Sequence, residues 1–463
     1  MLNIITTWIL PLVVVLGAAV TLHEFGHFIV AKILKIRVET FSFGFGPRLL
    51  GKKWGTTDYR ISAIPLGGYV KLGGDESNAP IEGEGAADIP ACERFDLRPR
   101  WQRIAVAVAG PIMNILTALA IPFAAGLIYG VPATPAPIVA SVLQASAAEE
   151  AGLRAGDRIV SFNGTANPDW DTMSDDALLS PNKALPMVVQ RDGQQLPLTI
   201  KPKPFTRDGE TAGELGFIPD YGNVTVFISE VVSGTGADAA GLKPNDKIVA
   251  VGGESVKSSE QVIQYIRAHK EQIEMDVDRA GQRVHVTAHV AQGQELLGVK
   301  VGQRLPPGPG GPAAALGYAV NQNVRILKLT GKALGQVFSG ERSVRNTISG
   351  PIGIARESSR AVSDFGWAGL FTMLGFLSLN LGIFNLLPIP VLDGGAIFLL
   401  LVEGALAIVG LSISMRVRER IQQVGFVFVI LLMVFVLTND ALKQISLWRG
   451  SNNSPPANAT PAK

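Results

Sequence analysis

The chain has 463 residues, of which 47% are apolar and only 17% are charged, a balance that favours a membrane protein over a soluble one. Its formal net charge of +2 gives no reason to expect nucleic acid or an acidic protein as a partner. A single cysteine, Cys92, excludes an internal disulfide. We therefore expect a polytopic α-helical membrane protein that is embedded in the lipid bilayer.

Four stretches are long and apolar enough to be proposed as membrane spans, at 8–31, 103–130, 366–387 and 423–438. The first has no basic residue ahead of it and no small-residue cleavage pattern at its end, so it is not a secretory signal peptide. We expect this segment to remain in the mature protein.

Lysine and arginine are distributed unevenly around the four spans. None precedes the first span, twelve lie between residues 32 and 103, and Arg416, Arg418 and Arg420 precede the last span. Because cytoplasmic loops carry the excess of basic residues, the 32–103 segment is predicted to be cytoplasmic. The region 131–365 and both termini are then predicted to lie on the extracytoplasmic side.

That extracytoplasmic region contains an internal repeat. "EEAGLRAGDRIVSFNG" (149–164) and "DAAGLKPNDKIVAVGG" (238–253) align without a gap at an offset of 89 residues. Each copy predicts a short helix, a turn at an aspartate and a strand, with further strand patterns on both sides. The pattern resembles circularly permuted bacterial PDZ domains, which implies two α+β domains and a groove that receives an extended peptide.

The stretch "ELGFIP" (214–219) is similar to the loop of PDZ domains that holds a peptide carboxylate. We assign it to the second copy, with Leu215, Gly216 and Phe217 as the peptide-binding residues; the first copy shows no clear counterpart. The alternative is that both repeats are only spacers.

The first span contains "TLHEFGHF", in which two histidines stand four residues apart. On a helix His23 and His27 share one face, and Glu24 lies beside them, where it can reach a metal-bound water. Two neutral imidazoles suit Zn²⁺, which takes three protein ligands and one open position when it is catalytic. A carboxylate inside a span is costly, which favours a functional role, although a structural histidine pair between helices remains an alternative.

A third ligand is expected from the third span, "NLGIFNLLPIPVLDGGAIF" (380–398). Pro388 and Pro390 interrupt its helix at membrane depth, which is tolerated where the backbone lines a cavity, and Asp393 follows the break. The other histidines lie in the repeat region, and Glu39 lies on a predicted strand. Read alone, this stretch could equally hold Asp393 in a plain turn and Asn385 as a helix cap.

Together these motifs resemble the site-2 protease family of intramembrane zinc metalloproteases, in particular its bacterial members with tandem PDZ domains. The resemblance rests on H-E-x-x-H in the first span, "AGPIMN" (109–114) in the second and N-x-x-P-x-P-x-L-D-G in the third. It implies that His23, His27 and Asp393 bind zinc and that Glu24 is the catalytic acid/base. It further implies that Asn385, with Pro388 and Pro390, contacts the substrate.

The resemblance also implies a location and substrates. The protein would be a multi-pass protein of the bacterial inner membrane that cleaves transmembrane segments of other proteins, such as anti-sigma factors and remnant signal peptides. The stretch at 41–74 is similar to the family's membrane-associated β region, and Gly44 and Gly46 in its "FSFGFG" segment would let substrate backbone approach it closely. A simple cytoplasmic hairpin is the alternative for that stretch.

Two other functions are weighed against a protease. A non-catalytic PDZ scaffold would need no glutamate between the histidines. A zinc transporter would need metal ligands along several spans, whereas the candidates here converge on one site.

The predicted order of parts follows from these motifs. It comprises the first span (1–36), a cytoplasmic β region (37–100), the second span (101–131), two PDZ-like domains (132–214 and 215–304), a linker with an amphipathic interfacial helix (305–365), the third span (366–395), a connection (396–422), the fourth span (423–440) and a disordered tail (441–463).

Overall fold

The computed structural model describes residues 8–75, 89–207, 210–222, 224–290, 296–306, 308–344 and 350–452. The chain divides into two compact units. The helical unit comprises residues 1–126 and 315–463, and the β unit comprises residues 127–314.

The helical unit begins with helix α1 (Leu10–Ile33), the strands β1 (Val38–Trp54) and β2 (Thr57–Leu72), and helix α2 (Arg100–Tyr129). The two strands fold back on each other, because residues 40–43 pair with 68–71 on one side and with 58–61 on the other. The predicted strand at 41–46 is therefore inside β1, and its first half is an inner strand segment. Gly44 and Gly46 follow at φ values of 88° and 86°, where the ladder register shifts.

The β unit contains two domains, each built on one mainly antiparallel sheet. In chain order the elements are β3 (Ala136–Val142), α3 (Ala147–Glu150), β4 (Arg158–Phe162), β5 (Thr165–Ala166), α4 (Trp170–Leu178), β6 (Leu185–Arg191), β7 (Gln194–Ile200), β8 (Lys203–Arg207), β9 (Glu210–Glu214), β10 (Phe217–Asp220), β11 (Thr225–Val231), α5 (Gly236–Ala239), β12 (Lys247–Val251), β13 (Glu254–Ser255), α6 (Ser259–Ala268), β14 (Ile273–Arg279), β15 (Gln282–Ala288) and β16 (Val299–Arg304). The first sheet has the strand order β10-β3-β4-β6-β7, with β5 beside β4, and the second has the order β15-β14-β12-β11-β16, with β13 beside β12.

The assignment of "ELGFIP" to the second domain is wrong. β10 pairs with β3 of the first sheet, and Leu215 and Phe217 are buried in the core of the first domain. The backbone N–H of Ala148 donates a hydrogen bond to the carbonyl of Leu215 at 2.9 Å. The boundary predicted at residue 214 therefore falls inside the first domain, which extends through β10.

The second domain has its own equivalent of this loop. Ala237 N–H donates to the carbonyl of Leu297 at 3.0 Å, and Gly298 has a φ of 86° where Gly216 has 77°. In both domains the chain thus enters its edge strand through a leucine and a left-handed glycine. The sequence "LLGVKV" obscured the match because only Leu and Gly are shared.

Four helices complete the helical unit: α7 (Pro312–Phe338), α8 (Pro351–Asn385), α9 (Asp393–Ile408) and α10 (Met415–Asn452). α8 is interrupted at Gly366, where φ is 59° and ψ is -141°, so the predicted start of the third span at residue 366 coincides with a kink between two helical segments. The connection predicted at 396–422 contains most of α9. Of the predicted tail, residues 441–452 belong to α10, and residues 453–463 lie outside the described residues.

By length and composition, four helices in the described part of the chain can cross a membrane. They are α1, α2, α8 and the Arg416–Gln444 part of α10. α10 is joined to its neighbours at both ends. Near its beginning Arg418 forms an ion pair with Glu403 of α9, and near its end the carboxylate of Asp440 accepts hydrogen bonds from three backbone N–H groups at the start of α8, at 2.9–3.2 Å.

The repeated aspartate explains why the two β domains share a motif. Asp157 and Asp246 are almost fully buried, and each binds the guanidinium of an arginine on the neighbouring strand, Arg191 and Arg279, at 2.6–2.8 Å. Each arginine also donates to the carbonyl of the glycine in the Gly-Leu turn. Burial acts to raise the pKa of each carboxyl, but the guanidinium and a backbone N–H outweigh it and hold the pKa below its usual range.

We expect Asp157→Asn to destabilise the first domain by about 2–3 kcal/mol at neutral pH, because the Arg191 guanidinium would lose a charged partner. The folded-state pKa lies below the unfolded value, so this contribution is present above pH about 4 and is lost as the pH falls through the folded pKa. Hydrogen exchange of β4 and β6 measures the change. Asp246→Asn is the matched control and should affect only β12 and β14; equal loss in both domains would contradict the assignment.

Candidate metal centre

Three side chains of metal-ligand type meet where the second half of α1 faces the first turn of α9. His23 and His27 lie one turn apart on α1, and their Nε2 atoms are 3.2 Å from each other. The carboxylate of Asp393, the first residue of α9, lies 2.9 Å from Nε2 of His23 and 3.5 Å from Nε2 of His27. The structure therefore brings together the three side chains that the sequence analysis proposes as metal ligands.

The loop between α8 and α9 places Asp393. α8 ends at Asn385, and Pro388 and Pro390 keep the following residues out of a helix. The loop then packs back onto the first turn of α9, where a Cβ on Gly394 would overlap the carbonyls of Leu386 and Leu387. A Cβ on Gly395 would overlap the carbonyl of Ile389. The two glycines after Asp393 are therefore required by the close return of the loop.

The backbone of α2 orients His27. Its Nδ1 lies 2.7 Å from the carbonyl oxygen of Val106. Because a carbonyl oxygen only accepts hydrogen bonds, Nδ1 carries the hydrogen and Nε2 keeps its lone pair. This arrangement is typical of metal-binding histidines, whose second nitrogen is held by a partner outside the metal's own ligands.

The side chain of Asn114, also on α2, lies against Nδ1 of His23. The amide nitrogen is placed 3.2 Å from Nδ1, and the amide oxygen is buried without a partner. Exchanging the two amide atoms, which have nearly the same shape, lets the oxygen accept a hydrogen bond from Nδ1. The exchanged orientation satisfies the oxygen and leaves the Nε2 lone pair of His23 free.

With both rings in this state, two nitrogen lone pairs and a carboxylate face one another. Such a cluster needs a cation: a proton on one ring, or a metal ion that all three groups bind. Zn²⁺ with Zn–N distances of about 2.0–2.1 Å and tetrahedral angles places two imidazole nitrogens about 3.3 Å apart. The spacing of 3.2 Å and the His₂-carboxylate donor set therefore fit zinc.

Small residues let α2 approach the histidines. A Cβ on Gly110 would overlap Nε2 of His27 and lie 2.8 Å from Cε1 of His23, and a Cβ on Gly26 would overlap the carbonyl of Ala109. The "AGPIMN" stretch noted in the sequence thus supplies both a contact surface and the amide of Asn114. The sequence pointed to this stretch but not to the role of either residue.

Glu24 lies beside the cluster, half-buried, within electrostatic range of His23, His27, Asp393 and the backbone N–H of Val70 in β2. Asn385, the last residue of α8, has its amide nitrogen 3.3 Å from Nε2 of His23. The structure therefore brings the predicted residues of both motifs to one point.

The other residues predicted to contact substrate or peptide are not part of the three-ligand cluster. Pro388 is exposed and Pro390 is half-buried, in the loop that precedes Asp393. Gly44 and Gly46 lie at the bend of β1, and Leu215, Gly216 and Phe217 are in the β unit.

The chain was compared with known proteins. Peptidase family M50 matches residues 11–432. The chain belongs to this family. Its relatives include a putative zinc metalloprotease of Vibrio cholerae, 32% identical over 454 residues that cover 92% of this chain and 97% of the relative. The regulator of sigma-E protease RseP of Escherichia coli is 31% identical, and that of Salmonella typhimurium is 30% identical, with the same coverage.

This M50 peptidase is a zinc metalloprotease with four apolar helices of membrane-spanning length. The expectations of the family, of the enzyme class and of zinc as cofactor are confirmed. The rival prediction of a non-catalytic scaffold is not supported, since family and relatives are proteases.

Replacing Asn114 tests how His23 is held. We expect Asn114→Leu to weaken zinc binding about 10- to 100-fold, because the ring loses the partner that fixes its orientation. Asn114→Asp keeps an acceptor for Nδ1 and should retain zinc. Both affinities are measured by competition with a chelator. If the aspartate variant lost zinc as the leucine variant does, the exchanged amide orientation would be wrong.

Proposed function

We propose that this M50 peptidase hydrolyses peptide bonds within transmembrane segments of other membrane proteins. His23, His27 and Asp393 would hold the zinc ion, and Glu24 would be the catalytic acid/base. The observation that carries the proposal is the meeting of the three ligand groups, with Glu24 beside them, between the membrane-spanning helix α1 and the first turn of α9.

Bound zinc supplies Lewis acidity, which polarises a carbonyl and brings the pKa of a water molecule to about 7. The protein's own residues do the rest. Glu24 accepts the proton of the attacking water and passes it to the leaving amine. Asn385 at the end of α8, whose amide nitrogen lies 3.3 Å from Nε2 of His23, would donate a hydrogen bond to the substrate carbonyl.

A transmembrane helix must unfold locally before it is cut, yet unpaired backbone in lipid costs several kcal/mol per group. Within the described residues, the 68–72 part of β2 pairs with β1 on one side only, and Val70 in this part lies within electrostatic range of Glu24. We infer that the substrate pairs as a strand with this edge. Gly44 and Gly46 then shape the bend of the sheet, and their direct contact with substrate remains a prediction.

The substrates we propose are anti-sigma-factor-type membrane proteins and remnant signal peptides, after a first cut outside the membrane. The E. coli relative is named as a regulator of sigma-E protease, and that name supports the first class. The uneven distribution of Lys and Arg supports a bacterial inner-membrane orientation with the β unit and both termini in the periplasm.

The two β domains are proposed to be PDZ-like and to sense whether a substrate has been trimmed, as a size filter or as readers of the new carboxy-terminus. In the first domain Leu215, Gly216 and Phe217 would meet that carboxylate, and Leu297 and Gly298 are their equivalents in the second. Both loops contain a left-handed glycine, Gly216 and Gly298, and such a conformation is one that lets successive backbone N–H groups converge on an anion.

The decisive variant is Glu24→Gln, tested on a model transmembrane substrate with purified protein. We expect cleavage to fall at least about 100-fold, because the amide cannot take up a proton, while bound zinc stays at the wild-type ratio. The matched control is Glu357→Gln, an exposed glutamate on α8, which should leave both unchanged.

Three results would count against this function. Undiminished cleavage by Glu24→Gln would remove the acid/base role. Loss of zinc from that variant would make Glu24 a ligand. Absence of zinc from both proteins would reject the metal centre.

A further inference from the structure

Helix α2 contains a proline, Pro122, in its interior. Proline has no backbone N–H, so the carbonyl of Ala118, four residues earlier, has no partner within its own helix. Ala118 is only 2% exposed, and a buried carbonyl without a donor is unfavourable, above all in a membrane. A donor must come from outside α2.

Asn323 of α7 supplies that donor. Its side-chain N–H₂ donates to the carbonyl of Ala118 at 3.0 Å and to the carbonyl of Ala319 in its own helix at 2.8 Å. Ala315 and Ala319 precede Asn323 at four-residue spacing, and both are fully buried. α7 therefore faces α2 with two small side chains and one amide, a pattern that permits close helix packing in membranes.

A second contact joins the same helix to α8. The hydroxyl of Thr330, seven residues after Asn323 and so on a similar face, donates to the side-chain oxygen of Asn380 at 3.5 Å. Asn380 is itself held by the carbonyl of Phe376 in α8. α7 is thereby bonded to both of the helices that flank it.

Both contacts lie close to the metal centre along their helices. Ala118 follows Asn114 by four residues, and Asn380 precedes Asn385 by five, which correspond to about 6 Å and 7.5 Å of helix. Asn114 and Asn385 are the two amides that contact His23, at 3.2 and 3.3 Å. α7 thus bonds to α2 through Asn323 and to α8 through Thr330, at points about 10.5 Å apart along α7. On α2 and α8 these contacts lie between one and one and a half turns from Asn114 and Asn385.

We propose that α7 is a brace and that Asn323 is a positioning residue for the peptidase, holding α2 and α8 so that Asn114 and Asn385 stay aligned on His23. The proposal rests on the proposed function, because it assigns α7 a part in the geometry of that same metal centre. The brace depends on Pro122, because this proline cannot donate to the carbonyl of Ala118, which accepts the hydrogen bond of Asn323 instead.

The hydrogen bond is tested by a double-mutant cycle in the full-length protein. In the protein that keeps Pro122, Asn323→Leu should lower the midpoint of thermal unfolding. Pro122→Ala restores a backbone N–H to Ala118, so in that background Asn323→Leu should lower the midpoint by clearly less. Equal shifts in the two backgrounds would overturn the link between Asn323 and Pro122.

The positioning role is tested by kinetics and by the spectrum of the cobalt-loaded protein, in which Co²⁺ absorption reports ligand geometry independently of cleavage. We expect Asn323→Leu to change the Co²⁺ spectrum and to lower kcat about 10-fold with little change in KM. Asn321→Leu, an exposed asparagine on the same helix, is the matched control and should change neither.

Each other result overturns the brace in a distinguishable way. An unchanged spectrum and kcat in Asn323→Leu, beside an active wild type and an inactive Glu24→Gln, would reject the brace and keep the proposed function. A rise in KM alone, or faster cleavage of untrimmed substrate, would make α7 a barrier to access instead. A wild-type protein that bound no cobalt would reject the metal centre and the brace together.

Discussion

Three hydrogen-bond acceptors face one another inside the helical unit: the Nε2 atoms of His23 and His27 and the carboxylate of Asp393. Two imidazole nitrogens 3.2 Å apart, with a carboxylate against both, repel each other unless a cation lies between them. The surrounding helices must therefore resist this repulsion. Val106 and Asn114 fix the two rings from α2, and Gly110 lets that helix come near enough to do so. The arrangement is one that a bound metal ion stabilises and that the backbone prepares in advance.

The sequence predicts the ligands better than it predicts their supports. The four-residue spacing of His23 and His27 places them on one helical face by local geometry alone, so no knowledge of the fold is needed. Asp393 could be proposed only by joining its motif to a distant one. Asn114 could not be assigned, because its role depends on which face of α2 meets α1, and packing between distant helices leaves no local periodic signal.

The fold of the β unit shows the same division between local and distant information. The Gly-Leu turn and the aspartate of each repeat are local features, and both are visible in the sequence. β10 is different: it lies far along the chain from β3 and pairs with it, which places "ELGFIP" in the first domain. A strand pattern identifies a strand but not its partner, so the sequence places the domain boundary on the wrong side of this strand. The sequence also does not predict α9 as a separate helix, because most of its 16 residues fall in the stretch interpreted as a connection between the third and fourth spans.

Strain in the loop before Asp393 adds a last constraint to this site. Val391 has a φ of 82°, a conformation that a β-branched residue avoids and that costs on the order of 1–3 kcal/mol. The neighbouring structure holds it there, since Gly394 and Gly395 accept the returning loop and Gly425 of α10 packs closely on Pro390. As a result the Asp393 carboxylate emerges at the first turn of α9, where the helix dipole favours a negative charge. The contacts that hold Val391 in this conformation therefore also position Asp393, and the close contact of α10 with Pro390 makes that placement depend on the last described helix.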